Sequence, residues 1–164
     1  DPSGYYSEKG RMVTGFQTIK DKKYYFEDSG ALLKPNQWYT IDGNRYYTNS
    51  DGSLAVGFYQ IGNHKYFFYK DGTMVTGFVS ISLYYMKDGN LIGSGKSGSY
   101  LFNDKGENIA YPGPTVVIDG ASVRFRENGS IDAYQVKGIF KDGPTSLGQT
   151  IVYDYDLYLK NGGI

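Results

Sequence analysis

Cysteine is absent from the 164 residues. Disulfides, thiolate metal sites and a cysteine nucleophile are therefore excluded. Histidine and tryptophan each occur once, so there is no histidine cluster to hold zinc and no cofactor is expected. Charge of one sign is also missing. The 17 basic and 17 acidic side chains cancel, which argues against nucleic acid as a partner and against anchoring on an anionic bilayer. No run approaches 18 consecutive apolar residues, so membrane insertion through a spanning helix is not expected. No long segment carries the 3.6-residue apolar period of a helix. No leader segment is visible at Asp1-Pro2-Ser3-Gly4, and the chain reads as a piece of a longer polypeptide.

Rings and glycine fill the space these absences leave. Aromatics make up 17% of the chain, with 18 Tyr and 9 Phe, and there are 23 Gly. A disordered chain lacks such rings, and the glycines do not fall at every third position as in collagen.

The residues recur in columns. Gly15-Phe16-Gln17-Thr18-Ile19 through Lys23-Tyr24-Tyr25-Phe26 aligns with Gln37-Trp38-Tyr39-Thr40-Ile41 through Arg45-Tyr46-Tyr47-Thr48. Both align with Gly57-Phe58-Tyr59-Gln60-Ile61 through Lys65-Tyr66-Phe67-Phe68. An aromatic recurs as Phe16, Trp38, Phe58 and Phe78. An isoleucine recurs as Ile19, Ile41, Ile61 and Ile81, and a turn glycine as Gly30, Gly52, Gly72 and Gly89. The period is 20 to 22 residues, and in this alignment about three residues are missing near Ser82-Leu83. Each unit reads as a short strand, a two-residue turn such as Asp42-Gly43 or Gly62-Asn63, an aromatic strand and a second turn. Glycine supplies the positive φ that tight turns need, and the flanking β-branched and aromatic residues suit strands.

A lone hairpin is marginal in water, so neighbouring units should stack. The expected fold is all-β: a solenoid of stacked β-hairpins. Alternation puts Tyr24 and Phe26 on the core face with Ile19 and turns Tyr25 outward. The same expectation applies to Tyr46/Tyr47/Thr48, Tyr66/Phe67/Phe68 and Tyr84/Tyr85/Met86. Two regions are expected. Residues 1–110 are tandem hairpin repeats that start mid-repeat. Residues 111–164 are diverged repeats or a capping region, with a break at Tyr111-Pro112-Gly113-Pro114, one more hairpin over Val116–Gly129 and a candidate turn at Asn161-Gly162.

The pattern Gly-aromatic-x-x-Ile-x-Gly-x-x-Tyr-Tyr-Phe-x-x-x-Gly resembles the cell-wall-binding type of repeat. That repeat occurs in choline-binding proteins, in glucan-binding regions of glucansucrases and in the C-terminal receptor-binding repeats of large clostridial toxins. The resemblance covers residues 4–109, and 114–130 less closely. In the choline-binding branch a cage is built from three aromatics. The resemblance carries the first to Phe16, Trp38, Phe58 and Phe78, and the third to Tyr25, Tyr47, Phe67 and Tyr85. The second falls on Lys23, Arg45 and Lys65. A cation there would repel a quaternary ammonium. A sugar fits better, because its ring can stack on an aromatic while its hydroxyls meet Lys, Arg and Gln. The expected ligand-binding set is therefore Phe16, Gln17, Lys23, Tyr25, Trp38, Arg45, Tyr47, Phe58, Gln60, Lys65, Phe67, Phe78 and Tyr85. The competing reading is that these rings pack a narrow core and lock neighbouring strands.

Other motifs read as decoys. Gly93-Ser94-Gly95-Lys96-Ser97-Gly98 has dinucleotide-fingerprint spacing but precedes a strand-like segment rather than a helix. His64 reads as a solvated turn residue. Asn49-Ser50-Asp51-Gly52 resembles part of a calcium loop, but Tyr47 stands where a carboxylate should be. Asp154 and Asp156 should share one strand face, solvated. No catalytic constellation emerges. The expected function is a non-catalytic carbohydrate- or cell-surface-binding module of a larger secreted or wall-associated bacterial protein. Its partners would be a glycan polymer and the rest of the parent polypeptide. The alternative is a structural spacer or protein-interaction scaffold.

Overall fold

A computed structural model describes residues 7–8, 11–110, 115–118, 120–134, 145–146 and 151–160. The expected break at 111–114 and the turn at 161–162 lie outside them. The described chain is all-β apart from one six-residue helix. It divides into two compact units, Asp1–Gly57 with Phe68–Met74, and Phe58–Phe67 with Val75–Ile164.

The first unit is a series of two-stranded antiparallel hairpins. β1 (Ser7–Glu8) pairs with β2 (Arg11–Met12), β3 (Gly15–Ile19) with β4 (Lys22–Phe26), and β5 (Trp38–Ile41) with β6 (Asn44–Tyr47). The next hairpin, β7 (Gly57–Ile61) with β8 (His64–Phe68), repeats the pattern. The β5–β6 turn is Asp42-Gly43, with φ of 51° and 82°. This is the left-handed pair that a two-residue hairpin favours, because it matches the twist of the strands.

Hairpins inside the unit are tied by backbone hydrogen bonds at a fixed step. Leu54 N–H donates to the Lys23 carbonyl at 2.7 Å, and Met74 N–H donates to the Arg45 carbonyl at 2.9 Å. The turn glycine of each hairpin sits on an apolar side chain that follows the turn before it. A Cβ on Gly52, whose φ is +84°, would fall 2.6 Å from Leu32 Cδ2. Leu33, Tyr46 and Leu54 form the buried core, with Tyr25, Tyr39 and Ile41 against it. Phe26 and Tyr46 are buried on the expected face, whereas Tyr24 and Ile19 are only half-buried. Thr48 occupies the column that holds Phe26 and Phe68. It is buried, and its hydroxyl donates to the Lys34 carbonyl at 2.7 Å and accepts from Gln37 N–H at 3.0 Å.

The second unit holds the main departure from the expected register. β9 (Gly77–Ile81) does not pair with the Tyr84-Tyr85-Met86 segment. Its partner is β12 (Gly98–Phe102), with Phe78 opposite Leu101 and Val79 opposite Tyr100. Tyr100-Leu101-Phe102 therefore takes the Tyr-Tyr-Phe columns. The intervening residues are an insertion, not a shortened unit. They form a hairpin of β10 (Leu83–Lys87) and β11 (Asn90–Gly93) that turns at Asp88-Gly89. Gly89 is thus an inner hairpin turn like Gly43, and the repeat turn glycine is Gly106. Its N–H donates to the Asn103 carbonyl just as Gly30, Gly52 and Gly72 donate to Glu27, Asn49 and Tyr69. The two turns resemble each other in sequence, since both are Asp-Gly beside rings, and only strand pairing separates them.

The Gly93–Gly98 segment, expected as a flexible loop, is an ordered turn. Ser94 N–H donates to the Leu83 carbonyl, and the Tyr100 hydroxyl donates to the Lys96 carbonyl.

β13 (Val116–Ile118), β14 (Ala121–Phe125) and β15 (Ile131–Tyr134) form a three-stranded antiparallel sheet whose register shifts between Arg124 and Phe125. Gly129 N–H donates to the Arg126 carbonyl, so the repeat turn recurs there. Two short strands run parallel to earlier ones: β16 (Thr145–Ser146) beside β9, and β17 (Ile151–Asp154) beside β10. The helix α1 (Tyr155–Lys160) follows. It starts immediately after Asp154, so Asp154 and Asp156 do not share a strand face as alternation suggested.

Candidate functional site

Each repeat hairpin places an aromatic pair on the face away from the hairpin core. In the first, Phe16 lies opposite Tyr25, with ring centroids 4.8 Å apart and edge-on. In the second, Trp38 lies opposite Tyr47 at 5.2 Å. In the third, Phe58 meets Phe67 at 4.7 Å. The residue two before the second ring brings a cation over the first. Lys23 Nζ is 5.9 Å from the Phe16 centroid, Arg45 Cζ is 4.5 Å from Trp38, and Lys65 Nζ is 6.0 Å from Phe58. Cross-strand pairing accounts for this. Positions 16 and 25 are directly opposed, and 23 is the next residue on the same face.

The neighbouring hairpin closes each notch with a ring that the column analysis had assigned only to packing. Tyr46 stands 5.5 Å from Phe16, Phe68 stands 5.7 Å from Trp38, and Tyr100 stands 4.9 Å from Phe58. Tyr46 could have been found from the sequence by asking which column of the next unit faces the notch. Tyr100 could not, because the insertion hid its unit.

Openness differs sharply between notches. Phe16 is 39% exposed, and Trp38, Tyr25 and Tyr47 are half-buried. In the second unit Phe67 has no exposed surface and Tyr100 has 1%. Burial pushes the Tyr100 hydroxyl up to about 12. The Lys65 ammonium is lowered by burial and, less strongly, by Lys96, and it donates to the Asn128 carbonyl at 3.0 Å. The Phe78 notch is filled outright. Phe78 packs with Leu101, Val123, Phe125 and Ile131 in a buried cluster.

Three members of the expected set fall elsewhere. Gln17 is opposite Tyr24, so it projects from the other face to Phe16, and its amide donates to the Thr14 carbonyl. Gln60 shares the Phe58 face, but its amide turns to the Gly62 carbonyl. Tyr85 belongs to the inserted hairpin, opposite Ile92, and its ring stacks on Tyr155 at 5.5 Å. Leu101 holds the column assigned to it. Among the decoys, His64 opens β8 rather than a turn, and its Nε2 lies 3.1 Å from Glu107. Asp51 sits in no metal cluster. It pairs with Lys22 at 2.7 Å and accepts from Ser53 N–H and Oγ. Burial pushes its carboxyl up, but these hydrogen bonds and the Lys22 charge outweigh that and hold it down at about 2.

Neither Lys23 nor Arg45 has a carboxylate within ion-pairing distance among the described residues. The first unit thus presents half-open aromatic notches whose cations are unpaired. In the second unit the equivalent rings are sealed.

Comparison with known proteins agrees with this architecture. The family model for the choline-type cell wall binding repeat matches residues 14–32, 36–54 and 56–74. Glucosyltransferase-I of Streptococcus downei is 38% identical over 56 residues, which are 34% of this chain and 4% of that protein. Choline-binding protein F of Streptococcus pneumoniae superposes with a TM-score of 0.55 at 25% identity, over 77% of this chain and 37% of that one. A second structure of that protein, solved in the presence of a tetrasaccharide-pentapeptide peptidoglycan analogue, gives 0.56 at the same identity and coverage. The chain spans well under half the length of each of these relatives. Residues 14–74 carry three copies of the cell-wall-binding repeat, and the chain belongs through them to that repeat family.

Proposed function

We propose that the chain is a non-catalytic module that holds a larger secreted bacterial protein on a cell-surface carbohydrate polymer. The Phe16 and Trp38 notches would be its contact points. One observation carries this reading. A partly open ring, a cross-strand ring and a long unpaired donor recur at one register in two successive hairpins. Sugars bind by that combination of an apolar face and nearby donors, and weak sites in series gain affinity on a polymer. The stepwise hydrogen bonds from Leu54 to Lys23 and from Met74 to Arg45 support a solenoid arrangement that would space the notches evenly. The relatives include a protein named for glucosyl transfer and one crystallised with a peptidoglycan analogue, which agrees with a wall or glucan polymer. Choline is a poorer occupant, since Lys23 and Arg45 already set a cation over each ring and like charge repels.

Affinity electrophoresis in gels containing dextran, starch or wall polysaccharide tests the proposal. Retardation by at least one polymer, lost in the Phe16→Ala/Trp38→Ala double variant while the fold is retained, is the expected result. Migration unaffected by every polymer at high concentration would reject it. The sealed Phe67 and Phe78 favour a scaffold role for the second unit, and the same gels would then show binding unchanged by Phe78→Ala.

A further inference from the structure

We infer that the Trp38 notch reads an acidic sugar: the Arg45 guanidinium, stacked over the indole, receives a carboxylate or phosphate of the bound polymer. This rests on the glycan reading above and narrows its ligand class. Arg45 Cζ lies 4.5 Å from the Trp38 centroid, the nearest approach of the three notch cations. At that distance the guanidinium covers one indole face, so a sugar meets the guanidinium as well as the ring. Stacking on an aromatic leaves the in-plane N–H fork free, which suits bidentate recognition of a planar carboxylate or of phosphate oxygens. Arg45 is exposed, and no carboxylate among the described residues pairs with it. Each comparable charge nearby is committed. Lys22 is held by Asp51, and Lys65 in the second unit by the Asn128 carbonyl. Lys23, one hairpin earlier, repeats the arrangement over Phe16 with its own charge unpaired. Formal net charge is zero, so the chain has no general attraction for polyanions. A preference for acidic polymers would have to arise locally.

The test titrates the full chain against dextran, polygalacturonate and poly(glycerol phosphate). The last two separate a carboxylate source from a phosphate source. The expected result is that one acidic polymer binds at least about tenfold tighter than dextran, the scale of one charge-assisted bidentate contact. Arg45→Gln should abolish the preference. Arg45→Lys, which keeps the charge but not the fork, should lose most of it. Lys70→Gln removes an exposed turn charge from the same unit and should leave the preference intact. Circular dichroism confirms that each variant is folded, and if Arg45→Gln is not, the Arg45→Lys result decides. Equal affinity for dextran and the acidic polymers would overturn this inference while leaving the glycan reading standing. So would an equal loss in Lys70→Gln, or full retention in Arg45→Lys. Binding to no polymer would remove both.

Discussion

The two units run one motif to different ends. In the first, Phe16 and Tyr25 face each other across a hairpin and remain partly open to water. In the second, Phe58 and Phe67 hold the same geometry, 4.7 Å against 4.8 Å, yet Phe67 has no exposed surface. The pairing is identical, so the difference comes from what lies above the pair. Tyr100 comes from a hairpin carrying an inserted ribbon, and further strands bring Val123, Phe125 and Ile131 into the adjoining cluster. The motif therefore builds a notch. Whether that notch is a binding surface or a piece of core is decided by the next element in the chain.

Alanine at equivalent rings is the strongest way to break the comparison. Phe67→Ala would leave a cavity in a sealed site and should cost about 3–5 kcal/mol. Tyr25→Ala, at the same column of the first unit, should cost only about 1 kcal/mol. Urea denaturation of the two variants measures both. Equal losses would mean that the first-unit notch is as much core as the second, and would weaken its claim to a ligand.

The repeat turns offer a finer contrast. Gly52 and Gly129 both have left-handed φ, +84° and +90°, so alanine is strained at either, at about 1–2 kcal/mol. What a methyl would meet differs. At Gly52 it meets the end of the Leu32 side chain, 2.6 Å away, which can swing aside. At Gly129 it meets Asn108 Oδ1 at 2.5 Å, and that amide is pinned by its hydrogen bond to the Leu101 carbonyl. Gly129→Ala should therefore lower the melting temperature more than Gly52→Ala. The reverse order would show that the second unit yields where the first does not.

These contrasts also mark what the sequence reveals. The hairpins, their turns and the Phe16, Trp38 and Phe58 columns are visible because each is a local pattern: an alternating strand, a glycine after aspartate, a repeated spacing. The register around Phe78 is not visible. Asp88-Gly89 satisfies the turn chemistry expected of the unit, and nothing in its composition shows that β9 reaches past it to Tyr100. The sealing of Phe67 is hidden for the same reason, since it depends on strands that are distant in sequence. Gln17 shows a different gap. Spacing brought it near Phe16, and only the pleat puts it on the opposite face. The Lys23 and Arg45 positions were legible as departures from an aromatic cage, but not the 4.5 Å stack that gives Arg45 its orientation.

The smallest expected effect is electrostatic and belongs to the first unit. Lys22 reaches from one hairpin to Asp51 in the turn after the next, and the Asp51 carboxyl is held at about 2. An unfolded aspartate titrates near 3.9, so the folded value is depressed. The stabilisation is complete above that unfolded value and is lost as pH falls from about 4 towards about 2. Both side chains are substantially exposed, at 55% and 41%, so solvent screening limits the contribution to under about 1 kcal/mol. Lys22→Ala should flatten this part of the stability profile and leave stability at neutral pH almost unchanged. Stability measured by urea titration at pH 2, 3, 4 and 6 reads both effects. A profile that stays steep in Lys22→Ala would assign the acid sensitivity to other carboxylates. The link between consecutive hairpins would then rest on backbone hydrogen bonds such as Leu54 to Lys23, which do not titrate.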